Sequence, residues 1–382
     1  MQEWKAHDKD LFYHLQWQMK SPHFKLWEPS FDNYRQLDEE QVIDLQISTV
    51  QRIKIHQGHH SLGGDRDFFA LKVLDMSVFP GIAEESFKNE TTARVSHPHI
   101  TALLAAFQYR NKFYLILPWA EEGNLRQLWR NKSSSPGCPG GVATWCSDSW
   151  MAEQCFGIAD ALAKVHGYGS LMQKEKGTNQ PKLHHDIKPE NILCFRNCEN
   201  SAAPYILKLT DFEFSLALGP SGTIEVEKAI GSKTYRPPEA EFKKSKIGYS
   251  WDIWCLGCLY LEFITWAILG WSGVERFGDS RAEEDDDDHI GTSELRPVQE
   301  DVFFRKRVAK NIWTWFSKSQ PKVVAEIKQT VALHIKGLRG DPRCTKFLGN
   351  FLGYIEEKML VIDSSKRATS VEVSGYMNQL MP

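Results

Sequence analysis

Residues 183–193 read LHHDIKPENIL. The polar centre places Asp186, Lys188 and Asn191 in one short loop ahead of a strand. Phosphoryl transfer needs parts of this kind: a carboxylate to orient an attacking hydroxyl and take its proton, a cation to steady the γ-phosphate, and an amide oxygen to help hold magnesium. Downstream, ILKLTDFEFS (Ile206–Ser215) is an apolar, alternating run that ends in Asp211, with Glu213 two places later. A strand that delivers a lone Asp to its end commonly holds a metal ion, so Asn191 and Asp211 are the candidate magnesium ligands. Upstream, FFALKVLD (Phe68–Asp75) sets Lys72 mid-strand among apolar neighbours. A lysine buried there needs an anionic partner, which a nucleotide phosphate or a Glu would supply.

The rest of the chain is ordinary for a globular protein able to bury a sizeable core, at 382 residues, 42% hydrophobic and 25% charged. A net charge of -3 gives no basic field calling for nucleic acid or an anionic membrane. Thirteen tryptophans point to large aromatic anchors in a core or interface. The eight cysteines are scattered, and Cys255 and Cys258 have no second CxxC. Lying in an apolar run, they read as buried thiols in a reducing compartment rather than as a zinc or redox pair. The opening MQEWKAHDKD is too charged for a signal peptide. Ile253–Trp271 is apolar and long enough to cross a membrane. Glu262 in its middle would cost about 2.5–3.5 kcal/mol there, so a fully buried core helix is expected and no membrane span.

Pattern breaks divide the chain. Strands are expected between Val50 and Lys72 and over Phe113–Leu117. RNKSSSPGCPGG (Arg130–Gly141) reads as a flexible loop, GYGSLMQKEKGTNQPK (Gly167–Lys182) as a polar insertion, and RAEEDDDDH (Arg281–His289) as a solvated acidic run in a longer polar loop. Beyond about Val302 the pattern is helical.

With these stretches in order, the chain resembles a eukaryotic protein kinase of the serine/threonine type from about residue 44 to 370, with wording similar to fungal members. FALK resembles the strand bearing the phosphate-binding lysine, here Lys72. FKNETTARVSHPHI resembles the regulatory helix, with Glu90 as the ion-pair partner and Glu84 or Glu85 as fallbacks. FYLILPWAEEGNL resembles the hinge, with Leu117 as gatekeeper and Pro118, Trp119 and Ala120 along the adenine edge. HHDIKPEN resembles the catalytic loop, DFE stands at the DFG position, and GSKTYRPPE resembles the end of the activation segment. WDIWCLG matches the start of the family's buried central helix, and DSSKRATS supplies Arg367, the expected partner of Glu239.

The resemblance implies an α+β fold of two lobes with ATP and Mg2+ between them. It implies an N-terminal extension over 1–39 and a kinase domain over 40–376, with a small antiparallel-sheet lobe over 40–118 and a large helical lobe over 119–376. A polar and acidic insertion is expected at about 273–300, and a tail over 377–382. Val50 and Ala70 would cover the adenine, with Leu193 beneath it. Asp186, Lys188, Asn191 and Asp211 would carry the transfer to a protein hydroxyl, Asp186 as proton acceptor. Asp252, starting the buried helix, would accept backbone N–H groups near the catalytic loop. The setting would be intracellular, cytoplasmic or nuclear.

Three departures qualify this. If Val50 follows the phosphate-binding loop, that loop is IDLQIST, without glycine, and its backbone approaches phosphates less closely. Gly58, Gly63 and Gly64 lie too near Lys72 and fit a hairpin turn instead. His185 stands where the family usually has Arg, which makes activation by segment phosphorylation doubtful. Glu213 replaces a glycine, and either stiffens the magnesium loop or adds a ligand. An active kinase, a pseudokinase serving as a binding scaffold, and a small-molecule phosphotransferase all stay open, although PPE and DIWCLG speak against the last.

Overall fold

The computed structural model describes residues 24–25, 35–36, 50–62, 67–75, 80–132, 146–168, 181–197, 203–218, 222–225, 232–242, 245–284, 300–308 and 323–381. The loop Ile43–Thr49 lies outside them, as do residues 285–299 of the acidic stretch.

Alternation builds the small lobe. Strand β5 (Phe68–Asp75) sends Phe69, Leu71 and Val73 into one apolar cluster and Ala70 and Leu74 into another on the opposite face. Lys72 shares the second face, which carries Ala83 and Phe87 of helix α1 (Pro80–Thr92). Five strands run in the order β2 (Arg35–Gln36), β6 (Ala105–Tyr109), β7 (Lys112–Pro118), β5, β3 (Gln51–Lys54). All pairs are antiparallel except β2 with β6. The parallel edge strand β2 means that the sheet begins before residue 40. Two further short strands precede β5: β1 (Phe24–Lys25) pairs with β4 (His60–Ser61). Gly58 sits in the turn between β3 and β5, where the spacing put it.

The large lobe is helical: α2 (Leu125–Lys132), α3 (Asp148–Val165), α4 (Ser250–Leu269), α5 (Trp271–Glu283), α6 (Gln329–Gly340), α7 (Lys346–Tyr354) and α8 (Ser370–Leu380). Ser147 caps α3 by accepting the Trp150 N–H, and Thr369 with Glu372 forms a reciprocal capping box on α8. Helix α4 is the expected apolar helix. It is long and apolar enough to cross a membrane, yet 89% of its most apolar window is buried inside the protein. Trp251, Trp254 and Trp266 of α4 and Trp129 and Trp150 of its neighbours are among the largest fully buried side chains. The helix stops at Gly270, whose φ of 71 suits glycine and lets its N–H return to the Trp266 carbonyl. Cys255 and Cys258 lie inside α4 as buried free thiols.

Four expectations need correction. Residues 273–283 are not part of a polar loop: they belong to α5, whose Val274, Phe277 and Arg281 are buried. The stretch after Val302 is not all helix, because β14 (Phe304–Val308) and β15 (Val323–Ile327) form an antiparallel hairpin. Phe303 and Phe304 anchor it in the core, and each such side chain stabilises by roughly 1.5–3 kcal/mol, which outweighs local helical pattern. The presumed tail is structured, since α8 runs to Leu380 and Met377 is fully buried. Lys182 leaves the polar insertion for strand β8 (Lys182–Leu183), which pairs with β11 (Leu216–Ala217), just as β12 (Ile224–Glu225) pairs with β13 (Lys246–Ile247).

Arg367 and Glu239 pair as expected. Nη1 and Nη2 donate to the two carboxylate oxygens at 2.7 Å each, and Nε donates to the Val361 carbonyl at 2.7 Å. Both residues are buried. Removing one partner of such a pair leaves the other charge uncompensated, at about 3–5 kcal/mol. Arg367→Ala is therefore expected to lower the urea midpoint by that amount of stability, and an unchanged midpoint would refute the pairing as a stabilising contact.

Candidate active site

The site is assembled around Lys72. Its ammonium donates to Glu90 Oε1 at 2.7 Å and Asp211 Oδ1 at 2.8 Å, and lies 3.0 Å from Glu213 Oε2. Glu90 comes from α1, whereas Asp211 and Glu213 follow β10 (Tyr205–Leu209) of the large lobe. One ammonium thus ties both lobes together. Burial alone would disfavour its charge, but Glu90, Asp211 and Glu213 together push its pKa well above the ordinary lysine value. Burial likewise opposes ionisation of Glu90, yet Lys72 and Arg94 pull its carboxyl down to about 2. Glu84 and Glu85 are exposed on α1 and are not the partners.

Arg94 is the residue that sequence reasoning missed. Its Nη2 donates to Glu90 Oε2 at 2.6 Å, its Nη1 donates to the Thr101 carbonyl at 2.5 Å, and its guanidinium lies 5.0 Å from the centre of the Phe212 ring. A signal existed: Arg94 stands four residues after Glu90, the spacing at which opposite charges meet on a helical face. Lys182 was also missed. Its Nζ donates to Thr92 Oγ1 at 2.7 Å and Asn89 Oδ1 at 3.3 Å, tying the large lobe to the end of α1. Burial, then repulsion from Lys88, lowers its pKa to about 8.

Glu213 points inward. Besides Lys72, its carboxylate accepts from Ser86 Oγ at 3.3 Å, and its carbonyl accepts from Asn89 Nδ2 at 3.1 Å, both on α1. Phe212 between Asp211 and Glu213 is fully buried against the His184 ring at 4.8 Å. Asp211 itself has φ 63, a left-handed conformation that costs a non-glycine residue roughly 1–3 kcal/mol and is held by these contacts.

The catalytic-loop candidates converge on one carboxylate. Asp186 Oδ2 accepts from Lys188 Nζ at 2.7 Å and Asn191 Nδ2 at 2.8 Å, and Oδ1 accepts from the Ser232 N–H at 3.3 Å. Asn191 Nδ2 also donates to the Asp186 carbonyl at 2.8 Å. His185, preceding Asp186, has φ 74. Asp252 fixes this strained turn: its two oxygens accept the His184 and His185 N–H groups at 2.7 and 2.8 Å. His166 Nε2 lies 2.8 Å from the same carboxylate, which burial would push up but His166 and the His184 N–H pull below the ordinary aspartate range. Burial holds the His185 imidazole below its ordinary pKa, against the pull of Asp252 and Asp186.

The nucleotide-side candidates lie on the elements above and below the crossing point. Ala70 pairs with Leu117 in the β5–β7 ladder, both are buried in one apolar cluster, and Trp119 packs against it. Ala120 is buried one residue further on. Leu193 lies on β9 (Ile192–Arg196), joined to the hinge where the Cys194 N–H donates to the Gly123 carbonyl at 2.8 Å. Val50, just before β3, is 54% exposed and is not brought into that cluster. Among the described residues no group of three or more His, Cys, Asp or Glu side chains could hold a metal by itself. Asn191 and Asp211 nevertheless offer the oxygen donors that suit magnesium, which commonly takes one or two carboxylates and completes its shell with phosphates and water.

A lysine clamped between the lobes, an Asp after a strand and an Asp–Lys–Asn loop define a two-lobed, protein-kinase-like α+β fold. The sequence comparisons narrow it. The family described as "Protein kinase domain" matches residues 60–374. The chain belongs to the protein kinase family. It is 27% identical over 180 residues to cyclin-dependent kinase-like 4 of Mus musculus, covering 47% of this chain and 43% of that one. It is 28% identical over 184 residues to an Aurora kinase of Debaryomyces hansenii, covering 47% and 37%. It is 27% identical over 203 residues to human 3-phosphoinositide-dependent protein kinase 1, covering 51% and 30%. The chain thus spans less than half the length of these curated relatives.

The geometry of Glu213 yields a prediction. A hydrogen bond to a charged group is worth about 1.5–3 kcal/mol. Glu213→Gly should therefore speed hydrogen exchange across 80–92 by roughly tenfold or more, while magnesium titrations of ATP turnover superimpose for variant and parent. A higher magnesium requirement in the variant would instead make Glu213 a metal ligand.

Proposed function

We propose that this protein is an ATP-dependent serine/threonine protein kinase that transfers the γ-phosphoryl group to a hydroxyl of an acceptor protein inside the cell. The observation that carries this reading is the Lys72 ammonium held at 2.7 Å by Glu90 and 2.8 Å by Asp211, across the lobes from a loop in which Asp186 is gripped by Lys188 and Asn191. Lys72 is placed to bind nucleotide phosphates, with Glu90 and Arg94 fixing its orientation. Asp186 accepts the proton of the attacking hydroxyl, and Lys188 beside it steadies the transferred phosphoryl group. Asn191 and Asp211 would hold magnesium, which when bound neutralises charge on the phosphate oxygens. Ala70 and Leu117, with Leu193 below, would enclose the adenine, and Trp119 and Ala120 would line its edge.

His185 is buried and its pKa is held below the ordinary value, which makes it a poor cation for a phosphorylated activation segment. The clamp formed by Glu213, Lys72 and Arg94 supports an arrangement ordered without one. The glycine-free loop Ile43–Thr49 favours a second reading, a kinase-fold binding module without turnover.

Asp186→Asn decides between them. The variant should lose about 100-fold or more of its transfer from radiolabelled ATP to a histone mixture, while keeping the parent's ATP-dependent thermal shift. Equal turnover of variant and parent would remove Asp186 from its role. A parent with neither turnover nor a nucleotide-dependent shift would establish the binding module.

A further inference from the structure

Helix α5 and the β14–β15 hairpin are inserted between α4 and α6, and their polar contacts reach the edge of the candidate site. Glu300 and Asp301, just before the hairpin, face the segment 232–236. Thr234 Oγ1 donates to Asp301 Oδ1 at 2.6 Å, and Arg236 Nη2 donates to Glu300 Oε2 at 2.9 Å. Two residues before Thr234, the Ser232 N–H donates to Asp186 at 3.3 Å. The insertion therefore grips the stretch of backbone that touches the candidate proton acceptor.

The grip is rigid from behind. Arg281 Nε donates to the Asp301 carbonyl at 2.9 Å, and Lys328 Nζ donates to the Glu300 carbonyl at 3.0 Å. Arg281 is buried, stacked within about 4.1 Å of the Phe277 and Phe303 ring centres. Its Nη2 donates to Glu262 Oε1 at 2.8 Å, and Glu262 Oε2 accepts from Tyr235 Oη at 2.6 Å. Arg126 Nη2 donates to Tyr235 Oη at 2.6 Å and its Nε donates to Glu190 of the catalytic loop. An unbroken polar chain thus runs from the insertion through the core helix to both sides of the segment.

We propose that Asp301 and Glu300 are positioning residues for the acceptor protein, holding residues 232–236 so that its hydroxyl is presented to Asp186. This rests on the phosphoryl-transfer reading above. No atom of the insertion is bonded to Lys72, Glu90 or Asp211 in the contacts described, so the effect falls on the acceptor and not on ATP.

The test uses the full chain with Thr234→Val, Asp301→Ala, the double variant and Thr234→Ser, with a histone mixture as acceptor. Thr234→Val leaves the insertion itself intact. Losing a hydrogen bond to a charged acceptor should raise the acceptor KM roughly tenfold in each single variant, with the KM for ATP unchanged. The double variant should be no worse than either single, since both remove one contact, and Thr234→Ser, which keeps the hydroxyl, should behave as the parent. Hydrogen exchange of residues 232–236 should quicken in the same variants, with β5 and β10 unaffected. Equal rises in both KM values, additive singles, or an unaltered acceptor KM would overturn the proposal. A parent that transfers nothing brings down the phosphoryl-transfer reading on its own, and unquickened exchange at 232–236 then overturns the brace as well.

Discussion

One buried ammonium organises this molecule. Lys72 has three protons to donate, and carboxylates from helix α1 and from both ends of the Asp211–Glu213 turn meet it within 3.0 Å. Each carboxylate would be costly to bury alone, and so would the lysine. Together they fix the distance from sheet to helix and from small lobe to large. Arg94 extends the same logic outward, for it neutralises the far oxygen of Glu90 and lays its guanidinium near Phe212. Two cations and three carboxylates here form a continuous lattice. Glu213, which a loop diagram would leave facing solvent, is one of its corners.

A second constraint operates from below. Asp252 stands in the first turn of a helix buried on almost every side, and its carboxylate grips two successive N–H groups of the catalytic loop. The left-handed turn at His185 is held by those bonds, and that turn aims Asp186. The apolar run that imitates a membrane span is therefore the foundation on which the candidate proton acceptor rests.

The site was more legible in the sequence than its surroundings. Lys72, Asp186, Lys188, Asn191 and Asp211 are polar residues at the ends or centres of apolar runs, where chemistry is the simplest reason for their presence. Charge spacing did not separate Glu90 from Glu84 and Glu85, because Lys88 stands four and three residues after those two just as Arg94 stands four after Glu90. Lys182 was illegible too, because its ammonium is held by neutral oxygens of Asn89 and Thr92, and no charge pattern advertises such contacts. The hairpin β14–β15 was hidden for another reason. Its anchoring depends on Phe303 and Phe304 entering a core built by distant segments, information that local periodicity does not carry. Helix α5 was obscured by its acidic end, although Val274, Phe277 and Arg281 recur at helical spacing.

The buried thiols have a consequence for handling the protein. Cys155, Cys194, Cys255 and Cys258 are at most 2% exposed, and burial pushes each thiol well above its ordinary pKa. Thiolate is the reactive form, so these sulfurs are inert while the fold is closed. They sit in α3, in β9 beside the hinge and in α4. The four thiols label three structural units, Cys255 and Cys258 sharing α4, and an alkylating reagent would mark those units in the order in which they open. The chain thus carries its own chemical record of which part of the fold gives way first.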